Sequence, residues 1–285
     1  MVAKNSNLSL YLRIISYSVL AFTLAFLINN VLTVWSDWPG IKKIFSHHEM
    51  FGYKKKALEG SDLNYGYMQI GLYLICIAAV VFYVFKTYSQ TLEQDSKILS
   101  RFSAYLVRSS FWAVFLVGVA DFVISFMVVE RLWEVIFSPE VKALMVKAPV
   151  RITYIHFPII LISFVIGYFT KSVGFIWLAV LVVVSEFVIV LSRFIFSYEQ
   201  AFQGDLVRFW YAALYLFASA YALIHEGHVR VDVLYSSFSE KKKAWTNMVG
   251  SAVLGVPLTL IVIFLGLYGK ASIINGPVVA FEVTQ

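Results

Sequence analysis

"YALIHEGHVRVDVLYSSFSEKKKAW", residues Tyr221 to Trp245, sets His225, His228, Arg230, Asp232 and Lys241–Lys243 between two strongly apolar runs. A charge held in hydrocarbon costs roughly several kcal/mol, so this stretch lies at or outside a membrane surface while the runs on either side cross the bilayer. Working outward, the same alternation of apolar run and charged connector recurs along the whole chain.

Composition agrees. Hydrophobic residues make up 60% of the 285 residues, and only 14% are charged, against about one quarter in soluble domains. The net charge of +6 falls between the apolar runs instead of on one basic face. It therefore reads as anchors and topology signals, not as a nucleic-acid surface. Cys76 is the only cysteine, which excludes an intramolecular disulfide. The first run is too long for a signal-peptide core and lacks a small-residue cleavage site, so it reads as a retained span.

A helical span needs about 20 mainly apolar residues. Seven runs qualify, at about 11–34, 67–86, 104–129, 152–170, 173–196, 207–224 and 246–269. The expected fold is an all-α integral membrane protein with about seven transmembrane helices. The connector Trp35–Tyr65 is the longest and holds "SDWPG", His47–His48 and Lys54–Lys56; Gln90–Arg101 is short, and Lys171 marks a tight hairpin. Lys and Arg near span ends favour a cytoplasmic N-terminus.

Within the opening stretch, Gly227 suits the left-handed residue closing a helix, with His225 facing the dipole one turn earlier. Asp232 fits the cap of a brief turn. Ser237–Glu240 matches the S-x-x-E capping box, which predicts a helix from near Phe238 that carries the lysines in the headgroups. "HEGH" lacks the H-E-x-x-H spacing that puts two His on one helical face, and no metal or cofactor site is expected. His156 stands before Pro158, whose missing N–H leaves a carbonyl the imidazole can bond. Pro257 is expected to kink the last span.

Asp121, Glu186, Arg108 and Arg193 fall inside spans, where ionisable groups are functional candidates. Arg108 and Arg193 read as snorkelling from near span ends. Asp121 and Glu186 read as helix–helix or subunit contacts, with Arg193 on the same face as Glu186. Ala212, Ala213, Ala218, Ser219, Ala220 and Ala222, then Gly250, Ser251 and Gly255, permit close approach between helices.

"GHVRVDVLY" after the alanine-rich "YAALYLFASAYAL", with "LSRFIF" before it and "WTNMVGSAVLGVPLTLIVIFLGLYG" and "FEVTQ" after it, resembles the small membrane subunit of TRAP (tripartite ATP-independent periplasmic) transporters, the DctQ-type family. The resemblance runs from about Ser172. It implies a division into residues 1–171, a four-span region of open role, and residues 172–285, the first three helices of a DctQ-like bundle, with the expected last helix absent from this chain. It also implies a multi-pass protein of the bacterial inner membrane with a cytoplasmic N-terminus. The subunit would not be an enzyme. It would pair with a large permease and, through it, a periplasmic solute-binding protein, in ion-coupled uptake of a small organic anion such as a carboxylate. Gly227, His228, Arg230 and Asp232 are the family-motif positions, suited to partner contact. Two other classes stay open: a redox or cytochrome-type subunit, which would need paired membrane His where only His156 is available, and a docking or sensor module in the first four spans.

Overall fold

A computed structural model describes residues 7–145, 147–171, 174–197, 201–224 and 233–276. Among them every regular element is helical. In chain order these are α1 (Asn7–Trp35), α2 (Ile41–His47), α3 (Ser61–Lys86), α4 (Leu92–Val129), α5 (Trp133–Ile136), α6 (Pro139–Met145), α7 (Ala148–Arg151), α8 (Phe157–Phe169), α9 (Phe175–Phe196), α10 (Ala201–Ile224), α11 (Val233–Ser236), α12 (Glu240–Gly250) and α13 (Val256–Gly266). Six stretches among the described residues are long and apolar enough to cross a membrane: α1, α3, α4, residues 152–169, residues 175–195 and residues 240–266. The seventh expected span is the helix α10. It is 24 residues long, about 36 Å at 1.5 Å per residue, but carries Asp205, Arg208 and three tyrosines. The chain is an all-α membrane protein.

Two prolines shape the spans in the same way. A five-residue π-helical turn, Ile152–His156, ends two residues before Pro158, and another, Ser251–Gly255, ends two residues before Pro257. In each the closing bond runs five residues back, from Phe157 N–H to Ile152 O and from Val256 N–H to Ser251 O. Proline lacks the N–H and its ring crowds the carbonyl four residues back. A widened turn relieves that crowding and keeps the backbone paired in a medium with no water to replace it. The kink expected at Pro257 is thus a π turn.

Helix starts divide differently from expectation. α4 begins twelve residues before the expected span because Thr91 and Gln94 form a reciprocal capping box: Gln94 N–H donates to Thr91 Oγ1 (3.3 Å) and Thr91 N–H to Gln94 Oε1 (3.0 Å). Its first turns, with Glu93, Asp95, Lys97 and Arg101, extend the helix beyond the apolar segment. The box expected at Ser237–Glu240 does not form. The Ser237 hydroxyl donates instead to Leu234 O at 2.7 Å, closing α11. α12 starts at Glu240 with Ser239 as its N-cap and no side-chain capping bond, and Glu240 pairs with Lys243 at 3.2 Å.

The chain forms two compact units, residues 1–96 with 232–285, and residues 97–231. In the first, α1 and α3 run antiparallel. At one end of the pair lies Arg13. At the other, buried Gln69 accepts from Gly40 N–H (2.9 Å) and donates to Thr33 Oγ1 (3.1 Å), which donates to Asn29 O (2.8 Å). This relay closes the "SDWPG" turn, where Gly40 has φ +77° and Trp38 stacks on Tyr65 at 4.6 Å. Phe264 of α13 packs edge-on against Phe22 and Phe26 of α1. Asn275 exchanges amide bonds with Asn30 (3.2 and 3.1 Å), and Lys270 is hydrogen-bonded to exposed Asp37, holding that carboxyl below its ordinary value. The ends of α1 and α13 thus meet on the side opposite Arg13.

In the second unit, Phe111, Leu178, Val182, Ile189, Val207, Trp210 and Ala213 form a buried core shared by α4, α9 and α10. Close approach occurs at glycines other than those expected. The indole of Trp210 occupies the space a Cβ on Gly118 would need, and Ser109 does so at Gly167. Gly250 and Gly255 have open space around theirs. Ala213 is buried, while Ala212 and Ala220 line an open apolar groove with Val107, Val114 and Leu216.

Candidate functional site

The charges in or beside the spans mark the candidate sites, and the structure partners three of them within the chain. The first is Arg13, one of the cations near a span end. Arg13 is 2% exposed and forms an ion pair with Asp95 at 2.5 Å. Its other nitrogens donate to Thr87 O and Thr87 Oγ1, each at 2.8 Å, and the Tyr17 hydroxyl donates to Asp95 at 3.1 Å. The guanidinium therefore ties the start of α1 to the end of α3 and the first turn of α4. Buried ions require this full set of bonds to offset their lost hydration.

The second is Arg108. Instead of snorkelling, its Nε donates to Gly167 O at 3.2 Å. Tyr105 OH donates to Phe164 O (3.1 Å) and Trp112 Nε1 to Thr170 Oγ1 (3.2 Å). Residues 105, 108 and 112 share one face of α4, and that face caps the C-terminal turn of α8. A cation there meets the negative end of the helix dipole and a carbonyl with no intrahelical donor.

The third is Asp121, a candidate from sequence. His156 Nε2 lies 2.9 Å from Asp121 Oδ1, and Arg151 NH1 lies 3.4 Å from the same oxygen. His156 therefore bonds a carboxylate, not the backbone carbonyl expected near Pro158, because the π turn pairs the backbone and leaves the imidazole to face α4. Arg151 also reaches Ser125 Oγ at 3.5 Å. The cluster pins the widened turn before α8 to the C-terminal third of α4. Asp121→Ala would take the carboxylate away from a guanidinium that is only 8% exposed. The carboxylate is itself 24% exposed, so the expected cost is about 2 kcal/mol, below the range for fully buried pairs. A lowered melting midpoint in detergent, with partial recovery in Asp121→Asn, is the expected reading; an unchanged midpoint for Asp121→Ala would refute it.

Glu186 and Arg193 lie on the exposed face of α9. No side chain among the described residues forms a bond to Glu186, whereas Arg193 has an interaction of its own. The motif positions Gly227, His228, Arg230 and Asp232, with His225, lie outside the described residues.

This architecture defines the class: a multi-pass helical membrane protein in which Arg13, Arg108 and Asp121 clamp helices together. Residues 179–280 match the family model of the DctQ component of tripartite ATP-independent periplasmic transporters, so the chain carries a DctQ-type small-permease region behind additional N-terminal apolar helices. No curated relative and no solved structure matches the chain.

Proposed function

We propose that the chain is the non-enzymatic small subunit of a TRAP-type secondary transporter in a bacterial inner membrane, its N-terminus cytoplasmic. The observation that carries this is the DctQ-component match over residues 179–280. In this reading residues 172–285 provide the small-permease region and residues 1–171 an N-terminal four-span region. The partners are a large permease and, in the assembled complex, a periplasmic solute-binding protein. The cargo is a small organic anion, a carboxylate, driven by an ion gradient. The clamps at Arg13, Arg108 and Asp121 support a scaffold role, because each of these three charges is bound to another helix or helix end of the chain. Transporter sites are built from broken helices whose freed carbonyls hold ions, whereas the π turns here keep their backbone paired. Arg230 and Asp232 serve assembly with the large subunit.

Reconstitution tests the reading. Liposomes holding this chain alone should accumulate none of a panel of labelled mono- and dicarboxylates above empty liposomes. Uptake should appear when the large permease and binding protein are added under an ion gradient. Arg230→Ala and Asp232→Ala should lower the amount of assembled complex without changing KM of the assembled fraction. Gradient-dependent uptake by this chain alone, or a pure KM effect in either variant, would overturn the proposal.

A further inference from the structure

Glu186 sits near the middle of α9, a stretch apolar enough to span the bilayer. Around it Ile176, Val180, Val183, Phe187, Val190 and Phe194 are all exposed, at alternating steps of four and three residues. That spacing makes a straight seam of the kind one helix offers another. The opposite face of α9, with Leu178, Val182, Ser185, Ile189 and Ser192, is already buried. Glu186 and Arg193 each precede a seam phenylalanine and so flank the seam on one edge, about 10 Å apart along the axis.

A carboxylate at that depth is strongly disfavoured when lipid alone covers it. The other deep charges described above are bonded within the chain: Arg13 to Asp95, Arg108 to Gly167 O, Asp121 to His156 and Arg151. Glu186 is the exception among the described residues. A second copy of this chain does not answer it. Two copies inserted the same way meet across an axis along the membrane normal, which sets Glu186 against Glu186 and Arg193 against Arg193. Like charges brought together disfavour such a contact.

We infer that the seam of α9 around Glu186 is the docking surface for a transmembrane helix of a different chain, one that presents a cationic or amide donor to Glu186 at mid-depth. Identifying that chain with the large permease rests on the function proposed above; the chemistry of the surface does not.

The test replaces Phe187 with the photoreactive benzoylphenylalanine in the full chain, produced at native level in its own cells, and irradiates intact membranes. The expected product is one adduct with a single polytopic membrane protein, joined at a helix bearing Lys, Arg, His, Asn or Gln at mid-span. Its yield should fall about tenfold in Glu186→Leu, the effect of losing one interhelical polar contact worth about 1.4 kcal/mol. Glu186→Gln, which still accepts a hydrogen bond, should fall less. Equal melting midpoints for parent and variants in detergent would assign the loss to docking, as expected for an exposed residue. Adducts with lipid only, a homodimeric adduct, or a yield indifferent to Glu186 would each overturn the inference. An adduct of the expected chemistry with a protein that is no permease would sustain the docking surface and remove the transporter reading.

Discussion

Asp95→Ala is expected to leave too little folded protein to purify, and Arg13→Ala nearly as little. The pair is almost wholly enclosed, with side chains 2% and 6% exposed. Removing one member of such a pair strands the other and costs about 3–5 kcal/mol, a large share of a total stability of about 5–15 kcal/mol. Asp95→Ala is the worse because it leaves a buried guanidinium that cannot shed its charge, with only Thr87 O and Thr87 Oγ1 to hold it, whereas a stranded carboxyl can take up a proton. The ion pair joins the α1–α3 hairpin to the first turn of α4, so the lesion reaches three helices. A double variant, Arg13→Met with Asp95→Leu, removes both charges together and should recover most of the loss. Size-exclusion profile and melting midpoint in one detergent would check the series. An Asp95→Ala midpoint within about 2 °C of the parent, less than about 1 kcal/mol for a chain of this size, would show that the pair does not sustain the fold.

Gly167→Ala should be the most damaging single-methyl addition in the second unit. The new Cβ would come within 2.9 Å of both Cα and N of Ser109, as well as against its hydroxyl. A side chain can rotate away, but the backbone of a continuous helix cannot. α4 and α8 must therefore separate, which also lengthens the 3.2 Å bond from Arg108 to Gly167 O. Overpacking of this kind costs about 1–3 kcal/mol, and losing the carbonyl's cation adds to it. Gly250→Ala, with nothing within 4 Å of its Cβ, should be neutral or slightly stabilising in a helix. The decisive comparison is Ser109→Gly combined with Gly167→Ala. It removes the hydroxyl and leaves the backbone contact, so the melting midpoint should stay low. Recovery to the parent value would mean the side chain alone was the obstacle.

The sequence by itself determined the spans and the membrane class, because whether a run of residues prefers hydrocarbon depends on those residues alone. Pro158 and Pro257 were legible for the same reason, since a missing N–H perturbs its own helix whatever surrounds it; only the form of the response, a π turn, awaited the structure. The resemblance carried by "GHVRVDVLY" was likewise a property of local order, and the DctQ match over residues 179–280 stands beside it.

Partner choice was another matter. Arg13 and Asp95 lie 82 residues apart, and an Arg at the head of an apolar run looks the same whether it snorkels into headgroups or closes a buried ion pair. Arg108 and His156 were misread similarly, because a helix C-terminus and a carboxylate on a neighbouring helix are invisible to spacing rules. Even the local capping pattern was undecided from sequence: Thr91 and Gln94 form the box, while Ser237 and Glu240, with an equally good match, do not. The hydroxyl of Ser237 had a nearer carbonyl, and only the folded turn brings that carbonyl within reach. A charge or hydroxyl carries the need for a partner in its own chemistry, but packing decides which partner stands within 3 Å, and packing is set by helices distant in sequence.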